Sequence, residues 1–124
     1  MLDSSILIDC LRGRGQAVAF VSSLAARSSP VTHVIVAAEL FAGAQNRAEQ
    51  ERIESFLAQI QIMVPNESDA LAALDLYKQH HLSHGVDWPD CQIAATALRL
   101  GLEVYTQNVK HFGAFIGLSV VQAY

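Results

Sequence analysis

At 124 residues the chain can build one hydrophobic core but not two, so a single domain over residues 1–124 is expected. Hydrophobic residues make up 52% and charged residues 16%, with no repeat, linker or Pro/Gly/Ser-rich tract, which excludes extended disorder. The net charge of −4 excludes a strongly basic backbone binder, and no apolar run approaches the ~20 residues of a membrane span.

Met1-Leu2 reads as the end of a strand, followed by Asp3 and a helix carrying Ile6, Leu7, Cys10 and Leu11 up to Gly13. A second helix is expected over 16–27. Ser28-Ser29-Pro30 stops it, and 31–34 reads as a short buried strand. The segment 35–44 is apolar on every side except at Glu39, which predicts a buried helix.

Residues 48–60 form an amphipathic helix with Ile53, Phe56, Leu57 and Ile60 on one side. A strand follows over 60–64. The next helix, over 68–83, is expected to turn Leu71, Ala72, Leu74 and Leu76 inward. Asp87-Trp88-Pro89-Asp90 opens another helix that ends at Gly101, and 103–106 and 118–122 read as two last strands around a polar stretch, 107–111. Short strands alternating with helices predict a parallel sheet covered on both faces.

Cys10 and Cys91 lie in apolar helical patterns without zinc or redox spacing, so both are expected to be reduced core residues. The opening residues also lack a charged-then-apolar leader, and a cytoplasmic location is expected.

Glu39 interrupts an apolar run, where an unpaired buried carboxylate costs several kcal/mol or becomes neutral. A cation is one partner that resolves this; a salt bridge to Arg12 or Arg14 is another. Gly43, one turn on, leaves room beside it. Asp3 stands where the first strand ends, the edge at which open parallel sheets place their ligand crevice, although an Asp there is also an ordinary N-cap. Asp87 and Asp90 likewise fit a cap followed by a first-turn acid. Taken together, the acids at 3, 39 and 90 mark apolar elements that sheet topology can bring together. Carboxylates without accompanying Cys or His fit a hard cation such as Mg²⁺ or Mn²⁺. Setting these three aside leaves nine acids against eight bases, so composition does not exclude RNA.

Four blocks then carry a family resemblance: Leu2-Asp3-Ser-Ser-Ile-Leu-Ile-Asp9, Ala38-Glu39-Leu-Phe-Ala-Gly43, Asp90-Cys-Gln-Ile-Ala-Ala-Thr-Ala97, and Thr106-Gln-Asn108-Val-Lys-His111-Phe112. In this order they resemble the PIN-domain family and, within it, the VapC-type toxins of bacterial toxin–antitoxin pairs. The resemblance implies a three-layer α/β/α sandwich around a central parallel sheet. Asp3, Glu39 and Asp90 would be its metal ligands, with Asn108 joining them in catalysis. It further implies an endoribonuclease that hydrolyses RNA with water activated by Mg²⁺ or Mn²⁺, a homodimer, and a cognate VapB-like antitoxin. Ser4 would position ligands beside Asp3. Asp87, Thr106, Lys110, His111 and Arg14 are further candidates for supporting the site or touching RNA. The 48–60 helix, with Ile53 and Phe56, reads as core packing or as a partner surface.

The sequence departs from the family pattern in three places. Asn108 stands where many members carry a fourth acid, Val36 where a hydroxyl is common, and only two residues precede Asp3. These departures keep open a catalytically impaired PIN domain that binds RNA or protein. His80, His81, His84 and His111 offer a metal-free acid–base alternative, set against the favourable placement of imidazoles at a helix C-terminus. A phosphoacceptor signalling domain would need an Asp closing a mid-chain strand, whereas that strand runs into Pro65-Asn66.

Overall fold

The computed structural model describes residues 1–124. Its helices are α1 (Ser4–Leu11), α2 (Gly15–Arg27), α3 (Val34–Ala42), α4 (Arg47–Leu57), α5 (Glu67–His84), α6 (Trp88–Leu100) and the single turn α7 (Val109–Phe112). The strands are β1 (Val31–His33), β2 (Gln61–Met63), β3 (Val104–Thr106) and β4 (Val120–Gln122).

All strand pairs are parallel: Thr32 lies opposite Ile62, and Tyr105 opposite Val121. Leu2 bridges Thr32 on one side and Tyr105 on the other, so the first residues join both halves into one sheet ordered β2-β1-Leu2-β3-β4. Two residues suffice for this central position because every backbone group finds a partner. Leu2 N–H donates to Val31 at 2.8 Å, Asp3 N–H to Tyr105 at 3.0 Å, and Met1 C=O accepts from Tyr105 at 2.8 Å. Helices cover the sheet in the three-layer α/β/α arrangement expected from the sequence. Both cysteines are free, Cys91 buried and Cys10 half-buried.

The core gathers Leu2, Ile6, Leu7, Val36, Leu40, Ile93, Val104 and Phe112 around the sheet. α6 is buried through its middle, from Asp90 to Ala97 apart from the half-buried Gln92, and ends as expected at Gly101, whose φ of 65° is a left-handed conformation suited to glycine.

Two expectations about buried faces are corrected. α3 is not buried all round: Val34, Ala38 and Ala42, one turn apart, face outward, while Val36, Ala37 and Leu40 face the core. Its length of nine residues lets one stripe satisfy the packing against α1, α4 and α6, leaving the opposite stripe uncovered. In α5 the inward face is Asp69, Ala73, Leu76 and Tyr77, and Leu71, Ala72 and Leu74 are exposed. A buried ion pair from Asp69 to Arg99 and the small Ala73 set that register against α6.

Ile53 is buried and Phe56 half-buried, so α4 spends its apolar face on core packing. The polar stretch after β3 contains α7, one helical turn that periodicity over so short a segment does not reveal. No helix is long and apolar enough to cross a membrane.

Candidate active site

Parallel strands require each connecting helix to run back against them, so the N-terminus of α6 returns to the sheet edge where the strands end. Asp3 follows the central strand at that edge, and Thr106 closes the neighbouring β3. Their elements lie where strand order departs to either side of Leu2, the crevice in which open sheets hold ligands.

Asp3 occupies the N-cap position of α1 but makes no side-chain cap bond, so capping does not account for its carboxylate. Thr106 donates to Asp3 Oδ2 at 2.8 Å, Ser5 donates to the same oxygen at 3.3 Å, and Ser4 reaches Oδ1 at 3.5 Å. The hydroxyl of Thr106 in turn accepts from Asn108 N–H at 2.9 Å, and that of Ser5 from Gln107 N–H at 3.1 Å. One carboxylate oxygen is thus fixed by hydroxyls while the other is held only loosely.

Asp87 does cap α6, accepting from Asp90 N–H at 3.2 Å. Asp90 is 8% exposed, and its carboxyl is pushed up to about 8. Burial is the first cause, the Asp87 contact the next, and the charges of Asp87, Asp3 and Glu39 follow. His111 Nδ1 stands 3.5 Å from Asp90 Oδ2. Glu39 is raised as well, chiefly by burial; the hydroxyl of Ser4 opposes the shift, and the charges of Asp3 and Asp87 add to it. The four acids therefore feel one another across a single crevice. No three acidic, histidine or cysteine side chains stand in a finished ligand shell.

Glu39 has no salt bridge, and Arg14 pairs instead with Asp9 at 3.4 Å. Half-buried, Glu39 lines a cavity of about 360 Å³ with Ile8, Leu11, Arg12, Leu40, Gly43, Glu49, Arg52 and Ile53. A Cβ at Gly43 would meet only its own helix carbonyls at ordinary contact distance, so this glycine keeps the mouth open without being forced by a clash. Val36 is fully buried and supplies packing where a hydroxyl was looked for. Asn108 and Lys110 are exposed at the rim, and no side-chain hydrogen bond holds the Asn108 amide.

Several residues behind the site carried no legible signal. Ser5 is one, inconspicuous beside Ser4. The others form a buried chain: Ile35 N–H donates to His33 Nδ1 at 3.0 Å, which leaves Nε2 to donate to Thr96 at 3.0 Å. Thr96 donates to Asp69 at 3.4 Å, and Arg99 grips the same carboxylate at 2.7 and 2.9 Å. This chain ties the start of α3, which carries Glu39, to α6, which carries Asp90. His80, His81 and His84 sit at the C-terminal end of α5, with the His80 ring 6.0 Å from Phe115 and the His81 ring stacked 4.8 Å from Tyr77.

The hard oxygen donors gathered here, with Asp90 raised by burial and by the neighbouring carboxylates, fit a divalent cation of the Mg²⁺ or Mn²⁺ kind. A sequence profile of the PIN domain matches residues 1–112, and the chain belongs to the PIN domain family. Ribonuclease VapC19 of Mycobacterium tuberculosis is 30% identical over 117 residues, covering 93% of both chains. A toxin–antitoxin complex from Klebsiella pneumoniae has a chain of TM-score 0.78 and 29% identity, covering 99% of this chain and 96% of that one. VapBC-1 from nontypeable Haemophilus influenzae aligns with TM-score 0.81 and 25% identity, over 98% and 96%.

Proposed function

We propose that this protein is an endoribonuclease of VapC type, the toxin of a type II toxin–antitoxin pair, using Mg²⁺ or Mn²⁺ in the cytoplasm. The observation that carries the reading is the meeting of Asp3, Glu39, Asp87 and the buried Asp90 at the ligand edge of the sheet, with no arginine or lysine paired to any of them. A ribonuclease among its relatives and toxin–antitoxin complexes among its structural neighbours support the substrate and the partner.

Asp3, Glu39 and Asp90 would hold the cation. When bound, it supplies positive charge against the scissile phosphate and makes water a stronger nucleophile. Thr106 and Ser5 orient Asp3 so that its freer oxygen, Oδ1, turns to the crevice. A bound cation would favour the ionised forms of Asp90 and Glu39, against the burial and the carboxylate repulsion that raise them. His111, beside Asp90, and the exposed Asn108 and Lys110 flank the path of the strand. The exposed stripe of α3 and the cavity beside Glu39 leave apolar surface for a second copy and a VapB-like antitoxin.

The test is cleavage of a broad set of RNAs by the purified chain, with Mn²⁺ or with chelator, beside Asp3→Asn and Asp90→Asn. Cleavage confined to the wild type with metal is expected. Metal-independent cleavage, or inactivity on every RNA, would replace the reading with histidine chemistry or a binding module.

A further inference from the structure

The crevice poses an electrostatic problem for an RNA strand. Its acids repel phosphate, and three of the eight basic residues are engaged elsewhere: Arg99 on Asp69, Arg14 on Asp9, Arg52 on the Leu11 carbonyl. With a net charge of −4, affinity beyond what a bound cation supplies can draw on contacts that do not depend on backbone charge. Stacking of unpaired bases on aromatic rings is such a contact, and it is open only to single-stranded RNA.

At the start of α6, the helix that carries Asp90, lies a surface of this kind. Trp88, the only tryptophan, begins α6 between the cap Asp87 and the buried Asp90, and is 38% exposed. Tyr77 of α5 meets it edge-on, with ring centroids 5.9 Å apart at 81°. On Tyr77 lies the exposed His81 ring, stacked at 4.8 Å and 19°. Tyr77 thus braces Trp88 and His81, leaving outer ring surface to solvent within a few residues of the acid cluster. Core packing does not require an indole there, since the interior of α6 is closed by Cys91, Ile93 and Ala94.

We infer that Trp88, braced by Tyr77 and accompanied by His81, is a stacking platform for an unpaired base of the RNA strand whose phosphate lies at the acids. The inference rests on the ribonuclease reading and adds to it a source of affinity and a preference for single strands. Bases stacked at Trp88 hold the strand in register while the neighbouring phosphate meets Asp90.

Because Trp88 is the only indole, its emission reports directly on the platform. The wild-type chain in Mg²⁺ is mixed by stopped flow with a single-stranded oligoribonucleotide and with an abasic ribose-phosphate chain of equal length. Binding is followed in parallel by anisotropy of a dye on the strand. Quenching by the oligoribonucleotide before cleavage, and none by the abasic chain, is expected. Trp88→Ala should raise KM about tenfold, a loss seen in KM and not in kcat, and Trp88→Phe should restore most of it. Cleavage by Trp88→Ala with unchanged KM, together with no quenching in the wild type, overturns the platform and leaves the ribonuclease reading intact. Absence of RNA binding and cleavage in the wild type removes both. A change of oligomeric state in Trp88→Ala by size exclusion would assign the rings to a protein contact and overturn the platform too.

Discussion

Thr106 donates its hydroxyl proton to Asp3 over 2.8 Å although 103 positions separate the two along the chain. Both are buried, and the same hydroxyl accepts from Asn108 N–H, so one atom joins the ends of two adjacent strands to the turn that follows. Thr106→Val keeps the shape but removes the donor to a carboxylate and the acceptor for an amide. Stability should fall by about 2 kcal/mol in urea unfolding, with a loss of cleavage rate beyond that of a core variant of equal stability. Thr106→Ser should recover both.

Asp69 accepts two hydrogen bonds from Arg99 and one from Thr96, and its carboxyl is held below the usual range, chiefly by the Arg99 contact. Asp69→Asn should destabilise the chain by about 2 kcal/mol, less than a wholly buried pair would cost because Arg99 remains partly in water. Since His33 and Thr96 continue the network toward α3, metal affinity should weaken along with stability. Thermal unfolding and Mn²⁺ titration of the same variant check both parts.

Asp90, lifted from 3.8 to about 8, and Glu39, lifted from 4.5, make the folded chain hold protons that the unfolded chain has released. Stability without a divalent cation should therefore fall as pH rises from about 4 to about 6; above that the Met1 amino group, lowered by burial from 8.0 to about 6, opposes the slope. Asp69 shifts the other way, but its contribution is lost only below its ordinary value, outside this window; His33, lowered from 6.5 by burial, opposes the fall within it and makes the slope shallower. Adding Mn²⁺ should flatten the slope, since the ion takes the place of the protons. Melting temperatures in chelator that stay level or rise across the window would contradict the account.

What the sequence made legible follows from which physical signals are local. Asp3, Glu39 and Asp90 were visible because each breaks an apolar context, and the alternation of short strands with helices fixed the parallel sheet. The Asp87 cap is likewise a local pattern, and the structure uses it as one. The inward face of α5 was misread because Leu71 and Leu74 are more hydrophobic than the Asp69 and Ala73 that displaced them. That choice depends on Arg99, thirty positions away on α6, which no periodicity within α5 can announce. The exposed stripe of α3 was hidden for the opposite reason: its residues are apolar on both faces, so hydropathy carried no direction. Ser5 and His33 act through contacts made only once β3 and α6 have closed on them.

The central claim is that Asp3, Glu39 and Asp90 together grip a divalent ion, and uptake of Mn²⁺ followed by electron paramagnetic resonance measures this without reference to RNA. The wild type should remove the free-ion signal at a stoichiometric site, and Asp3→Asn and Asp90→Asn should each weaken uptake at least about tenfold while remaining folded. Equal Mn²⁺ uptake by the wild type and by a chain lacking all three carboxylates would contradict it.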